Sequence, residues 1–122
     1  MKKVLIVDDA VFQRHLIKEI LQDQGLEFME AASGEAALEK LKNFEFDLVL
    51  LDVTLPGKNG IETLTEIRKT HPSVKVIMVT AQSQKSIMMQ AVKLGAEDYL
   101  IKPVRSDRLI FTVRKVLGLK EN

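Results

Sequence analysis

The chain has 122 residues, 46% of them apolar and 5% aromatic, with 18 basic and 17 acidic side chains for a net charge of +1. That is the size of one domain with a single aliphatic core, and so even a balance offers no excess of Lys and Arg for direct nucleic-acid binding. There is no cysteine, hence no disulfide framework or thiolate metal site, and no apolar run approaches a signal-peptide core or a membrane span, so a soluble cytoplasmic protein without membrane insertion is expected.

The first strand is predicted over residues 4–7, VLIV, and is followed at once by Asp8 and Asp9. Phe12, Leu16, Ile17, Ile20 and Leu21 then recur at helical spacing, with Gly25 placed to end the helix. A second strand, LEFMEA over residues 26–31, reads as shorter and partly polar, which suits a sheet edge. Ser33 is placed to cap a second helix carrying Ala36, Ala37, Leu38 and Leu41. The third strand, residues 47–51, leads into Asp52 and the loop VTLPGKNG. Residues 59–62, NGIE, have the spacing of a capping box and open a third helix with Ile61, Leu64 and Ile67 on one face. The fourth strand, residues 74–79, ends at Thr80. Ser83 or Ser86 opens a fourth helix with Ile87, Ala91, Val92 and Leu94, stopped by Gly95. The fifth strand, residues 98–101, runs into Lys102 and Pro103. Ser106 opens a fifth helix with Leu109, Ile110, Val113, Val116 and Leu117, and Gly118 lies past its end.

Strands alternating with helices in this way imply right-handed βαβ crossovers and a parallel sheet with helices on both faces. The first, third and fourth strands are apolar without alternation, as strands covered on both sides are. In an open parallel sheet the carboxyl ends of the strands share one edge, and ligands bind there. Asp8, Asp9, Asp52, Thr80 and Lys102 all follow strands, so they should meet at that edge however far apart they are in sequence. Two carboxylates about 4 Å apart in partly buried surroundings repel by roughly 4 kcal/mol. A group of three either takes up protons or attracts a cation, and oxygen donors without histidine select Mg2+ or a similar hard ion over zinc. A hydroxyl and a fixed ammonium beside such an ion make a clamp for a phosphoryl group, whose transfer needs positioning and charge stabilisation above all. Asp52 stands alone at the end of the central strand and is the best candidate for a nucleophile that would carry the group as an acyl phosphate.

Taken singly, each residue has an ordinary explanation: Asp9 an N-cap, Thr80 a strand-end hydroxyl, Lys102 a solvated lysine, Tyr99 half-buried packing. The shared edge is what lifts them above it. His15 and His71 read as surface residues without chemistry, Met78, Met88 and Met89 as packing with Met88 or Met89 left open to face a partner, and LIFTVRKVLG as a core-facing helix with a basic outer face.

The pieces VLIVDD, DLVLLDVTLPGKNG, VIMVTA and GAEDYLIKP, in this order and spacing, resemble the receiver domain of two-component response regulators, the single-domain chemotaxis type in particular. The resemblance spans essentially the whole chain, residues 1–122, read as one receiver domain. It implies a flavodoxin-like three-layer (βα)5 sandwich with a five-stranded parallel sheet of order 2-1-3-4-5. It further implies Asp52 as phosphoacceptor and Mg2+ as cofactor, held directly by Asp9 and Asp52, by Asp8 mainly through water, and by the backbone carbonyl of Thr54. Thr80 becomes the switch hydroxyl, Lys102 the partner of a phosphoryl oxygen, Tyr99 the aromatic that turns inward with Thr80, and Lys102–Pro103 a cis peptide. Thr54 and Gln82, each two residues past a key site, become the side chains that tune how long the phosphoryl group lasts, and neither is acidic here. Leu55 replaces the methionine frequent before Pro56.

The function so implied is a phosphorylation-activated switch. A sensor histidine kinase or a histidine phosphotransfer protein supplies the phosphoryl group. The surface of the fourth helix, fifth strand and fifth helix then changes to control an output protein, with the chain acting as a monomer or a phosphorylation-dependent dimer. Its catalysis is limited to its own phosphorylation and dephosphorylation. Two rivals fit less well. An aspartate-nucleophile phosphohydrolase of the haloacid-dehalogenase type would carry a second Asp where Thr54 stands, and an interaction domain that had lost phosphorylation would not keep Asp8, Asp9, Asp52, Thr80 and Lys102 together.

Overall fold

A computed structural model describes residues 1–81 and 85–120. Strands and helices alternate as β1 Lys2–Val7, α1 Val11–Leu21, β2 Leu26–Ala31, α2 Gly34–Asn43, β3 Leu48–Asp52, α3 Gly60–Thr70, β4 Lys75–Thr80, α4 Lys85–Lys93, β5 Asp98–Ile101 and α5 Ser106–Leu117. The strands form one parallel sheet in the order β2-β1-β3-β4-β5, the flavodoxin-like order expected.

Alternation along each central strand builds two cores, because successive side chains point to opposite faces. Leu5, Val7, Val49, Leu51, Val76 and Met78 face one way and pack with Ala37 and Leu41 of α2, Leu64 and Ile67 of α3 and Ala91 of α4. Val4, Ile6, Leu48, Leu50, Ile77 and Val79 face the other way, against Ile17 and Leu21 of α1 and Leu109 and Val113 of α5. Each such aliphatic side chain contributes about 1.5–3 kcal/mol on burial. Both faces of β1, β3 and β4 are therefore covered, and only the strand ends remain for polar groups.

Two of the expected helix starts are held by the side chains named for them. Ser33 accepts from the Ala36 N–H at 3.0 Å. Asn59 and Glu62 form the reciprocal capping box, at 2.9 and 3.0 Å. Other expectations are corrected. Phe12 is 78% exposed rather than core-facing, and Val92 is exposed as well. The buried row of α1 runs through Ile17 and Leu21, and Phe12 lies well around the helix from it. In α4 only Ala91 is fully buried, and Val92 is turned about 100° away from it. Helix α1 ends at Leu21, so Gly25, at φ 71°, does not stop the helix but turns the chain into β2. Ser86 lies inside α4, Ser83 lies outside the described residues, and Ser106 is the first residue of α5 with no side-chain cap bond on Arg105 before it. Strand β2 is an edge, but at six residues it is as long as β1 and β4; the shortest is the other edge, β5, with four.

Candidate functional site

The sheet register builds the site. Val7 pairs with Leu51, so Asp8 and Asp52 occupy the next row of neighbouring strands. Asp52 pairs with Val79, and Thr80 with Ile101, which places Thr80 and then Lys102 one step further along the same edge. The expected group thus converges. Asp8, Asp9 and Asp52 each offer a carboxylate oxygen, all within 4.8 Å of one another. Asp8 and Asp52 are 2% and 4% exposed, Thr80 1%, while Asp9 is open to solvent.

Lys102 reaches back over this cluster. Its Nζ donates to Asp8 Oδ2 at 2.8 Å and to Asp52 Oδ2 at 3.2 Å. Its backbone N–H donates to the Thr80 carbonyl at 2.7 Å, and the peptide to Pro103 is cis, as expected. The other oxygens of the two buried carboxylates take backbone donors: Asp8 Oδ1 accepts from Ala10 N–H at 2.9 Å and Asp52 Oδ1 from Thr54 N–H at 3.2 Å. Thr54 itself lies exposed on the loop two residues past Asp52. Tyr99 is half-buried on β5 and lines a 360 Å³ groove with Met88, Met89 and Val92 of α4. Gln82 lies outside the described residues.

The charges are out of balance. Burial pushes the Asp52 carboxyl above its ordinary pKa; Lys102 pulls it back in part and Asp8 adds to the rise. Burial also works against the Lys102 ammonium, but its hydrogen bond to Asp8 and the charge of Asp52 outweigh it and hold its pKa above the usual lysine value. Among the described residues, the Lys102 ammonium pairs with two of the three clustered carboxylates, Asp8 and Asp52, and not with Asp9. The donors are all carboxylate oxygens, with no histidine or thiolate among them, so the set fits a hard divalent cation such as Mg2+.

Two supports of the site went unseen in the sequence. Gly60 opens α3 and donates its N–H to the Val53 carbonyl at 2.9 Å. A Cβ there would collide with the Asp52 backbone and lie 2.6 Å from Val53 Cα, so the return of the loop against Asp52 requires glycine. Arg14 donates to the Asp8 carbonyl at 2.6 Å and to Glu30 at 2.8 Å, tying α1 and β2 to the end of β1. A signal for Arg14 existed: a cation in the first turn of a helix, where the dipole disfavours it.

The chain matches a family model described as response regulator receiver domain over residues 4–114. It is 40% identical over 116 residues to the chemotaxis protein CheY of Thermotoga maritima, covering 94% of this chain and 97% of that protein. It is 42% identical over 117 residues to the transcriptional regulatory protein CpxR of Escherichia coli K12, covering 96% of this chain and 50% of that one. Among solved structures, a chain of the CheX-CheY-BeF3-Mg2+ complex from Borrelia burgdorferi superposes with a TM-score of 0.91 at 32% identity, covering 98% of this chain and 90% of that one. Fold, strand-edge cluster and likeness agree, and the chain belongs to the response regulator receiver domain family, the CheY-like, phosphorylation-activated switches of two-component signalling.

Proposed function

We propose that Asp52 is the phosphoacceptor of this receiver and that the whole chain, residues 1–122, acts as one such domain. The observation that carries the assignment is the placing of the Asp52 carboxylate: 4% exposed, with the Lys102 ammonium on Oδ2 and the Thr54 N–H on Oδ1. An Asp52 oxygen attacks phosphorus, the new O–P bond forms as the P–N bond of a phosphohistidine breaks, and the histidine nitrogen leaves with its electron pair. Lys102, held by Asp8, is fixed within reach of whatever oxygens Asp52 carries. The raised pKa of Lys102 keeps it charged for that role.

Asp8, Asp9 and Asp52, with the carbonyl of Thr54, would hold Mg2+, which when bound neutralises charge on the carboxylates and on the incoming phosphoryl oxygens. Thr80, buried one row beyond Asp52, acts as the switch hydroxyl, and Tyr99 follows it at the groove beside α4. The surface of α4, β5 and α5 then takes or releases an output protein. A full reversal of such a two-state element from 1:99 to 99:1 takes about 5.5 kcal/mol of bias. A sensor histidine kinase or a histidine phosphotransfer protein serves as donor in the cytoplasm, and the chain catalyses only its own phosphorylation and dephosphorylation, with Thr54 and Gln82 setting the lifetime. Among the described residues no helix is long and apolar enough to cross a membrane.

Incubation with Mg2+ and acetyl phosphate tests the assignment. Wild type should gain one phosphoryl group and Asp52→Ala none, while Lys102→Ala should be phosphorylated or should signal more weakly with its fold intact. Phosphorylation of Asp52→Ala at the wild-type rate removes Asp52 from the role.

A further inference from the structure

Asp9 raises a problem that its own side chain does not solve. It is exposed, and among the described residues no hydrogen bond or ion pair holds its carboxylate, yet that carboxylate lies with Asp8 and Asp52 inside the 4.8 Å cluster. Its direction is therefore set by its backbone. The peptide before Asp9 carries the Asp8 carbonyl, one residue past the last paired residue of β1. Arg14 holds that carbonyl at 2.6 Å through Nη1.

Arg14 is poorly explained as a helix residue. It sits at the end of the first turn of α1, which contains no acidic side chain, and the helix dipole disfavours a cation there. It is nonetheless only 13% exposed, folded across the end of β1. Its Nε donates to Glu30 Oε1 at 2.8 Å, and Glu30 stands on β2 opposite Ile6. Lys18, one turn along α1, takes the other oxygen of Glu30 at 2.7 Å. The two cations hold the Glu30 carboxyl below its ordinary pKa, Lys18 contributing most. Glu30 thus offsets a guanidinium charge that would otherwise oppose any cation drawn to Asp8 and Asp9.

We propose that Arg14, braced by Glu30, is a positioning residue: it fixes the Asp8–Asp9 peptide so that the Asp9 carboxylate faces Asp8 and Asp52, and it thereby sets the Mg2+ affinity of the cluster. The inference rests on reading Asp8, Asp9 and Asp52 as the Mg2+ site. The sign of the effect separates positioning from plain electrostatics. Removing a cation near a metal site raises its affinity by Coulomb attraction alone, whereas removing a positioning cation lowers it.

The test is a calorimetric titration of the whole protein with Mg2+, paired with urea unfolding in EDTA. Arg14→Met should bind Mg2+ about tenfold more weakly, the lower end for groups that orient metal ligands. Arg14→Lys keeps the charge but lacks the planar fork that spans Asp8 and Glu30, and should regain only part of the affinity. Lys18→Met, which leaves the Asp8 contact in place, should bind as wild type does. A merely structural role would lower the urea midpoint of Arg14→Met and leave its Mg2+ affinity unchanged; that result, or an increased affinity, overturns the inference. If Arg14→Met fails to fold, Arg14→Lys decides, and wild-type affinity in it is the overturning result. Wild-type protein that takes up no Mg2+ overturns the metal reading and this inference together, whereas normal wild-type binding with an unaltered Arg14→Met overturns the inference alone.

Discussion

Replacing Lys102 by Met should expose the strain that the acidic cluster carries. In the folded protein its Nζ lies 2.8 Å from Asp8 Oδ2 and 3.2 Å from Asp52 Oδ2, and both carboxylates are almost wholly buried. Without the ammonium, Asp8 and Asp52 face each other across at most 4.8 Å. At an effective dielectric constant of 20 their repulsion is about 3.5 kcal/mol. Removing one partner from a buried ion pair costs about 3–5 kcal/mol, and because this site opens at the sheet edge the lower figure applies. The cost is also bounded, since one carboxyl can take up a proton instead. A loss of about 3 kcal/mol is therefore expected at neutral pH without metal, or about 12 °C in Tm for a domain of this size. A domain this long has about 6–18 kcal/mol in hand, so the variant stays folded. Saturating Mg2+ binds only the folded state and should return most of the loss, stabilising the variant more than wild type. Urea unfolding at neutral pH, in EDTA and in Mg2+, reads both quantities. A variant as stable as wild type in EDTA, or stabilised by Mg2+ only as much as wild type, would refute the claim that Lys102 offsets repulsion between Asp8 and Asp52.

Further expectations concern the frame around the site. Glu30→Gln removes the partner of Arg14 and Lys18 and should cost about 1 kcal/mol at neutral pH. Because the folded pKa of Glu30 is depressed, that contribution is present above its unfolded pKa, about 4.3, and is lost as pH falls through the folded value. Unfolding curves of Glu30→Gln and wild type should therefore converge as the pH falls through the folded value, and a gap that stays constant into acid would show that the charge is not its source. Gly60→Ala should cost about 1–3 kcal/mol and slow phosphorylation, because the colliding atoms are backbone atoms of Asp52 and Val53 that cannot move aside. A variant matching wild type in thermal unfolding and acetyl phosphate assays would contradict this. Asn59→Ala breaks the capping box and should cost about 1 kcal/mol of stability, read by chemical unfolding, with little effect on Mg2+ binding.

The site was legible in the sequence because a parallel sheet gathers its strand ends. Asp8, Asp52, Thr80 and Lys102 needed only the right strand order to meet, and the long apolar runs before them fixed which residues those ends were. Strand boundaries moved by a residue or two, so that Asp52 and Thr80 are the last residues of β3 and β4 rather than the first beyond them. Phe12 and Val92 misled because apolar character near the helical period does not say which flank of the stripe meets the sheet; neighbouring elements decide that. The pairing of Arg14 with Glu30 was hidden for a different reason, although the place of Arg14 in the first turn of α1 marked it as unusual. Their meeting depends on β2 lying beside β1 and on α1 crossing back over both, a contact between polar faces that periodicity does not score. Gly60 was masked by its own context, since Asn59 and Glu62 account for the turn without showing how closely the chain passes Asp52.

On the function proposed above, the phosphoryl group resides on Asp52. Borohydride reduces an aspartyl phosphate to homoserine, so protein treated with Mg2+ and acetyl phosphate, then reduced, digested and sequenced by mass spectrometry, reports the position directly. Homoserine in place of Asp52 and nowhere else is the expected result. Homoserine in place of Asp8 or Asp9, or a phosphoryl group recovered on Thr80 or a histidine while Asp52 is intact, would contradict it.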